Sequence, residues 1–150
     1  LNNKSNFNNK TDLFLYMAAR SENINLIRKF YNKRIILIDR FIDSTIAYQH
    51  YGMGLDLQII KSMNEFILKD IKIGFTFLNI VNKNNLQLRL KKRKNLNRYD
   101  RFNITFYQNV QKGFLKLSKL RKKSYKLIDS NLDIKINERL ILDKIKRLIW

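Results

Sequence analysis

A chain of 150 residues with 45% hydrophobic content is long enough for one domain with a core, and too apolar for a collagen-like or wholly disordered polymer despite 31 Lys+Arg against 12 Asp+Glu and a formal charge of +19. It has no Cys and a single His, His50, which excludes disulfides, thiolate zinc sites and imidazole-rich metal centres. Its longest apolar runs, such as Ile35-Ile36-Leu37-Ile38, fall far short of the ~20 residues of a membrane span, and the polar start Leu1-Asn2-Asn3-Lys4 has no signal-peptide apolar core, so the expected address is cytoplasmic.

The Asn/Lys/Ser-rich opening, residues 1–10, reads as loop. From Asp12 to about Tyr31, residues Leu13, Tyr16, Met17, Arg20, Ile24, Ile27 and Tyr31 recur at three- and four-residue steps, which predicts a helix with Thr11 as its N-cap. Arg34 to Asp39 is a short, continuous, β-branched run of the kind found in strands buried on both faces of a parallel sheet. A polar, glycine-containing connection, Arg40 to Gly54, follows, and Leu55 to Lys69 returns to helical spacing through Leu57, Ile60, Met63 and Ile67. Gly74 to Ile80 is a second strand-like run, followed by a basic stretch and a long helix through Phe106, Val110, Phe114 and Leu117. A third run, Tyr125 to Asp129, precedes a final amphipathic helix through Ile136, Leu140, Ile141, Ile145 and Leu148. This alternation predicts βαβ units around a parallel sheet. Three strands make a small sheet, and the chain opens on a helix where an α/β fold normally opens on a strand.

The charge is uneven. Residues 1–75 hold 11 Lys+Arg against 7 Asp+Glu, whereas residues 76–150 hold 20 against 5. Such a surplus points to an anionic visitor, and one reading is a small basic nucleic-acid-binding protein using residues 89–126, although no RNP, KH or helix-turn-helix pattern accompanies it. The abundance of 20 Lys, 19 Asn and 20 Ile, all residues with A/T-rich codons, offers mutational drift as the competing source. A membrane surface is the weaker partner, since no basic stretch carries a sustained apolar face with interfacial aromatics.

In open α/β sheets ligands bind beyond the carboxyl ends of the strands. The first predicted strand ends in Asp39-Arg40: a carboxylate suited to Mg²⁺ or its water shell, and a guanidinium able to grip a phosphate through two parallel hydrogen bonds. The residues that follow extend this to Asp39-Arg40-Phe41-x-Asp43-Ser44-Thr45-x-Ala47-Tyr48-Gln49-x-Tyr51-Gly52-x-Gly54-Leu55. That run resembles the signature of bacterial thymidylate kinases. Upstream, Leu13 to Arg20 looks like the family's helix with an aromatic residue four positions before an arginine; downstream, Arg93-x-x-x-x-Arg98-Tyr99-Asp100 resembles its arginine-bearing lid, Phe106 to Leu117 the helix after it, and Leu127-Ile128-Asp129-Ser130 its last strand.

The resemblance implies a P-loop NTPase-like, three-layer α/β/α fold in a single domain over residues 1–150, with a lid at about 86–102, and the phosphorylation of dTMP by ATP with Mg²⁺. It implies that Tyr16 stacks on thymine and Arg20 hydrogen-bonds its carbonyl, that Arg40 holds the 5′-phosphate, and that Asp39 organises the metal. Ser44 and Gln49 would contact the nucleotide, Gln49 reading the base edge, while Tyr48 forms the wall beside the sugar. Arg93 and Arg98 would close over the transferring phosphoryl group, and Ser130 would begin the adenine-side loop. A homodimer is implied for the complete protein, and a kinase of another nucleoside monophosphate is less well matched by Tyr48-Gln49. On residue types alone, Tyr16 and Arg20 would serve equally as a core tyrosine and a surface arginine, and Lys91 to Lys94 as a solvated loop.

The sequence also departs from the family. No Gly-x-x-x-x-Gly-Lys-(Ser/Thr) run is present, since the four glycines are Gly52, Gly54, Gly74 and Gly113. Met53, Asn109 and Gln111 stand where the family often has Arg. The expectation is therefore an N-terminally truncated chain whose parallel sheet lacks its first strand, P-loop and second strand. It should have a vacant strand position beside residues 34–39, and it should be unable to catalyse alone.

Overall fold

A computed structural model describes residues 7–94, 98–99 and 102–149. Helix α1 (Asn9–Phe30) is followed by an extended segment at residues 35–38, then by α2 (Ile42–Thr45), which runs directly into a π-helical segment (Ile46–Gly52), and by α3 (Leu57–Leu68). The second half is β1 (Thr76–Ile80), α4 (Lys83–Lys92), α5 (Ile104–Leu120), a 3₁₀ turn (Lys122–Ser124), β2 (Tyr125–Asp129) and α6 (Ile134–Ile149). Side-chain caps fix the starts of four helices. Asn8 accepts from the Thr11 N–H at 2.8 Å, Asp56 from Ile59 at 2.9 Å, Asn82 from Asn85 at 2.8 Å and Asn103 from Phe106 at 2.9 Å. The asparagine-rich composition thus supplies three of these caps, and α1 begins at Asn9 under Asn8 rather than under Thr11.

The sheet is two parallel strands in the register Thr76↔Tyr125 through Ile80↔Asp129. The strand expected at 34–39 does not form: no ladder partner for it lies among the described residues, and Ile35 and Leu37 stay 65% and 83% exposed. Apolar character makes such a run able to enter a sheet, but a strand exists only through a neighbour's backbone groups. The connection expected from Arg40 to Gly54 is mostly helical, and the basic stretch after β1 contains α4. Of the expected opening loop, Asn9 and Lys10 lie in α1 and residues 1–6 lie outside the described residues, as do 95–97 and 100–101 of the expected lid.

Three apolar clusters hold the elements together. Leu13 and Met17 of α1 pack on Ile46, Ile60 and Leu117; Ile24 packs with Leu68 and Ile71; Ala47 packs with Phe106 and Val110. The π-helical segment and α5 approach so closely that a Cβ on Gly113 would enter the Tyr51 ring, and one on Gly52 would lie 2.5 Å from Phe106 Cε2. Small residues at this crossing let the widened turn seat Tyr48 and Gln49 against both α1 and α5.

Candidate active site

The site is built from two facing stripes. Asp12, Tyr16 and Arg20 follow at four-residue steps on α1 and so share one face, and Thr45 and Gln49 are spaced likewise on the helix opposite. Arg20, 8% exposed, donates to Thr45 Oγ1 at 2.6 Å, to Asn64 Oδ1 at 3.3 Å and to the Phe41 carbonyl at 3.2 Å. Burial pushes the pKa of this guanidinium down, and the nearby Asp43 opposes that shift. Asn64 Nδ2, beside it, is a buried donor without a partner among the described residues.

One turn before Tyr16, Asp12 is completely buried and gathers three side chains. Its Oδ1 accepts from Arg98 Nη1 at 2.7 Å, and its Oδ2 from Tyr99 Oη at 2.5 Å and from Gln49 Nε2 at 3.2 Å. Arg98 also donates to the Phe7 carbonyl at 2.6 Å. Two of its donors thus serve the start of α1; the resemblance had assigned the residue to a phosphoryl group. Tyr99 meets Tyr16 edge-on at 6.1 Å between centroids and Tyr48 at 5.5 Å. Burial, and then the hydrogen bond to Asp12, hold its hydroxyl protonated far above the ordinary tyrosine range.

Tyr48 packs edge-on against Phe106 and Phe114, and the Arg40 guanidinium lies 5.1 Å from its ring centroid. Desolvation works against the Arg40 charge, but Tyr48, Asp39 and Tyr16 outweigh it and raise the pKa above its usual value. Arg40 also adopts a left-handed backbone with φ of 59°, a conformation that costs a side-chain-bearing residue about 1 kcal/mol or more. Asp39, beside it, is exposed. Ser44 is half-buried, its N–H bonded to the Phe41 carbonyl at 3.0 Å.

Tyr16, Arg40, Tyr48 and Gln49 thus surround Tyr99 or its immediate neighbours, and Arg20 adjoins them one turn further along α1. Arg93 and Ser130 are held by the second half of the chain. Ser130 lies at the carboxyl end of the sheet, donating to Ile80 at 2.8 Å and accepting from Arg89 Nη2 at 2.6 Å, and Arg93 caps the same helix that carries Arg89. A cavity of about 360 Å³ at the other end of β2, lined by Lys122, Lys126, Lys144, Arg147 and Phe75, includes none of these residues. Residue reasoning missed Asp12, Thr45, Asn64 and Tyr99 as members of the site. The four-residue spacing of Asp12, Tyr16 and Arg20 was the one signal that could have found the first of them.

The family model described as "Thymidylate kinase" matches residues 1–141. The chain is 36% identical over 141 residues to the thymidylate kinase of Trichodesmium erythraeum, covering 93% of this chain and 59% of that protein. It is 34% identical over 136 residues to that of Exiguobacterium sp., covering 89% and 64%. The fold is similar to the crystal structure of thymidylate kinase from Ehrlichia chaffeensis, with a TM-score of 0.70 and 27% identity over all of this chain and 71% of that one. The chain spans less than two thirds of the length of these two curated relatives.

Proposed function

The chain belongs to the thymidylate kinase family, and on that premise we propose that its protein phosphorylates dTMP to dTDP with ATP, and that these residues supply the nucleotide-accepting half of the site. The observation that carries the reading is Arg40. Its guanidinium is held charged over the Tyr48 ring on a strained backbone, next to the exposed Asp39 carboxylate and beside the edge-packed cluster of Tyr16, Tyr48 and Tyr99. An outlying backbone is retained where the surrounding structure over-determines it, and a cation held in this way suits a phosphate.

In this reading the thymine stacks on Tyr16, and Arg20 and Gln49 meet its edge. Arg20 reaches the base by exchanging its bond to Thr45 or Asn64 for a base carbonyl. Arg40 holds the 5′-phosphate in line for attack, Tyr48 borders the sugar, and Ser44 contacts the nucleotide. Arg93 neutralises charge on the transferring group, where positioning and electrostatics supply nearly all of the catalysis. Arg98 stabilises this half through Asp12. Ser130, at the carboxyl end of the sheet, borders the adenine side.

Mg²⁺ suits Asp39 in one respect. It is bound through one or two carboxylates with substrate phosphates and water, and among the described residues no cluster of three or more His, Cys, Asp or Glu could hold a metal unaided. When bound, the ion supplies charge neutralisation at the phosphoryl oxygens. The 150 residues contain no Gly-x-x-x-x-Gly-Lys-(Ser/Thr) run, so no cradle for the ATP phosphates is assigned to them. We extend the family reading to a homodimer and a cytoplasmic address; among the described residues no helix is long and apolar enough to cross a membrane.

Equilibrium binding tests the reading. Calorimetric titration should detect dTMP and dUMP, with dAMP and dGMP weaker by at least tenfold, and Arg40→Ala should abolish the dependence on the 5′-phosphate so that thymidine and dTMP bind alike. A chain that binds purine monophosphates as well as dTMP contradicts it.

A further inference from the structure

The contacts of Asp12 carry a consequence for base choice, which rests on the dTMP reading. Gln49 is 2% exposed, and its amide nitrogen donates to Asp12 Oδ2 and to Tyr99 Oη, each at 3.2 Å; these oxygens lie 2.5 Å apart, so they share the hydrogen on that side of the amide. The Tyr99 hydroxyl gives its own hydrogen to Asp12 at 2.5 Å and so accepts from the amide. A carboxylate paired with Arg98 at 2.7 Å is an acceptor only. Turning the amide over would set Gln49 Oε1 against that carboxylate, two acceptors with no hydrogen between them. The network therefore admits one orientation, in which Oε1 is the end left over. Among the described residues it has no hydrogen-bond partner, and it is not one of the buried orphaned atoms.

We infer that Asp12 is a specificity-positioning residue: it locks the Gln49 amide so that the base pocket presents an acceptor, selecting pyrimidines that carry an N3–H, thymine and uracil, over cytosine, whose N3 is itself an acceptor. Asp12 does not touch the nucleotide. It acts through Gln49, and through Tyr99 it ties that amide to the ring that meets Tyr16 and Tyr48. A buried donor or acceptor left facing its own kind costs enough to discriminate about 10- to 100-fold.

Asp12→Asn keeps the shape but can donate as well as accept, so either orientation of Gln49 becomes satisfied. Two readouts on the full 150-residue chain test the inference. In ¹⁵N-labelled protein, the Gln49 side-chain amide hydrogens should exchange slowly in the wild type and at least tenfold faster in Asp12→Asn. In calorimetry, the wild type should prefer dTMP to dCMP by about 10- to 100-fold, and Asp12→Asn should shrink that preference to within about threefold, chiefly by gaining dCMP. If Asp12→Asn does not fold, Tyr99→Phe removes one of the two acceptors while keeping Asp12, and should shift both readouts in the same direction by a smaller factor. A folded variant with unaltered amide exchange and an unaltered dTMP to dCMP ratio overturns the role of Asp12. Failure of the wild type to bind dTMP, with the Asp12-dependent exchange intact, instead overturns the dTMP reading and the base choice built on it, and leaves Asp12 as the residue that orients the amide.

Discussion

Arg40 concentrates the argument at the scale of single residues, because its conformation and its chemistry pull in opposite directions. Its φ of 59° is a position where glycine sits without strain, yet the side chain is held charged over Tyr48. Arg40→Gly should therefore stabilise the fold by about 0.5–1 kcal/mol while removing phosphate binding, whereas Arg40→Ala should lose binding without that gain. Urea midpoints and dTMP affinities measured on both variants check this, and destabilisation by glycine would mean that the guanidinium contacts are structural. The Asp39-Arg40 and Tyr48-Gln49 pairs could be proposed from the sequence because short motifs keep their side chains at fixed offsets. Asp12 and Tyr99 were not, because their partnership spans 87 positions and exists only after α1 and the segment before α5 have met. Arg98 illustrates the same limit: residue type announced a cation, but only the fold disclosed that Asp12 and the Phe7 carbonyl take its donors.

Among the elements, the periodic ones were legible. The apolar repeats at Leu13 to Ile27 and at Phe106 to Leu117 correspond to α1 and α5, and the runs expected at 74–80 and 125–129 to the two paired strands, the first of which begins two residues later, at Thr76. The run at 34–39 reads like a strand and is extended but unpaired, since hydrophobicity reports a willingness to be buried and says nothing of the neighbour. The stretch from Ile42 to Gly52 looked like a loop because its polar residues serve the site: Asp43, Thr45 and Gln49 face inward, bonded to Arg121, Arg20 and Asp12, so the apolar period is broken by buried polar groups. The crossing of this segment with α5 depends on Gly113. Gly113→Ala should push the Tyr51 ring base aside, with no flexible end to yield, and cost about 1–3 kcal/mol. Thermal unfolding checks it: a midpoint unchanged within error would show that the two helices do not meet as described. Because that crossing seats Gln49, the same substitution should also weaken dTMP binding.

At the scale of the whole molecule, one cluster of the surplus charge lies apart from the candidate site. Lys122, Lys126, Lys144 and Arg147 gather around a cavity at one end of β2 that includes none of Tyr16, Arg20, Arg40, Tyr48 and Gln49. Among the described residues, Arg20 is bonded to Thr45, Arg40 lies over Tyr48 and Arg98 is paired with Asp12. We propose that these residues form the acceptor half of a thymidylate kinase. The most direct measurement joins the 150 residues to an N-terminal segment from a relative carrying Gly-x-x-x-x-Gly-Lys-(Ser/Thr) and follows ADP release with ATP, Mg²⁺ and a panel of nucleoside monophosphates. The account predicts release that depends on dTMP, falls at least ~100-fold in kcat/KM, about 2.7 kcal/mol, with Arg40→Ala, and is undetectable for the 150 residues alone. Robust dTMP-dependent turnover by the 150 residues alone, or a fusion that binds ATP yet shows no preference for dTMP, would contradict it.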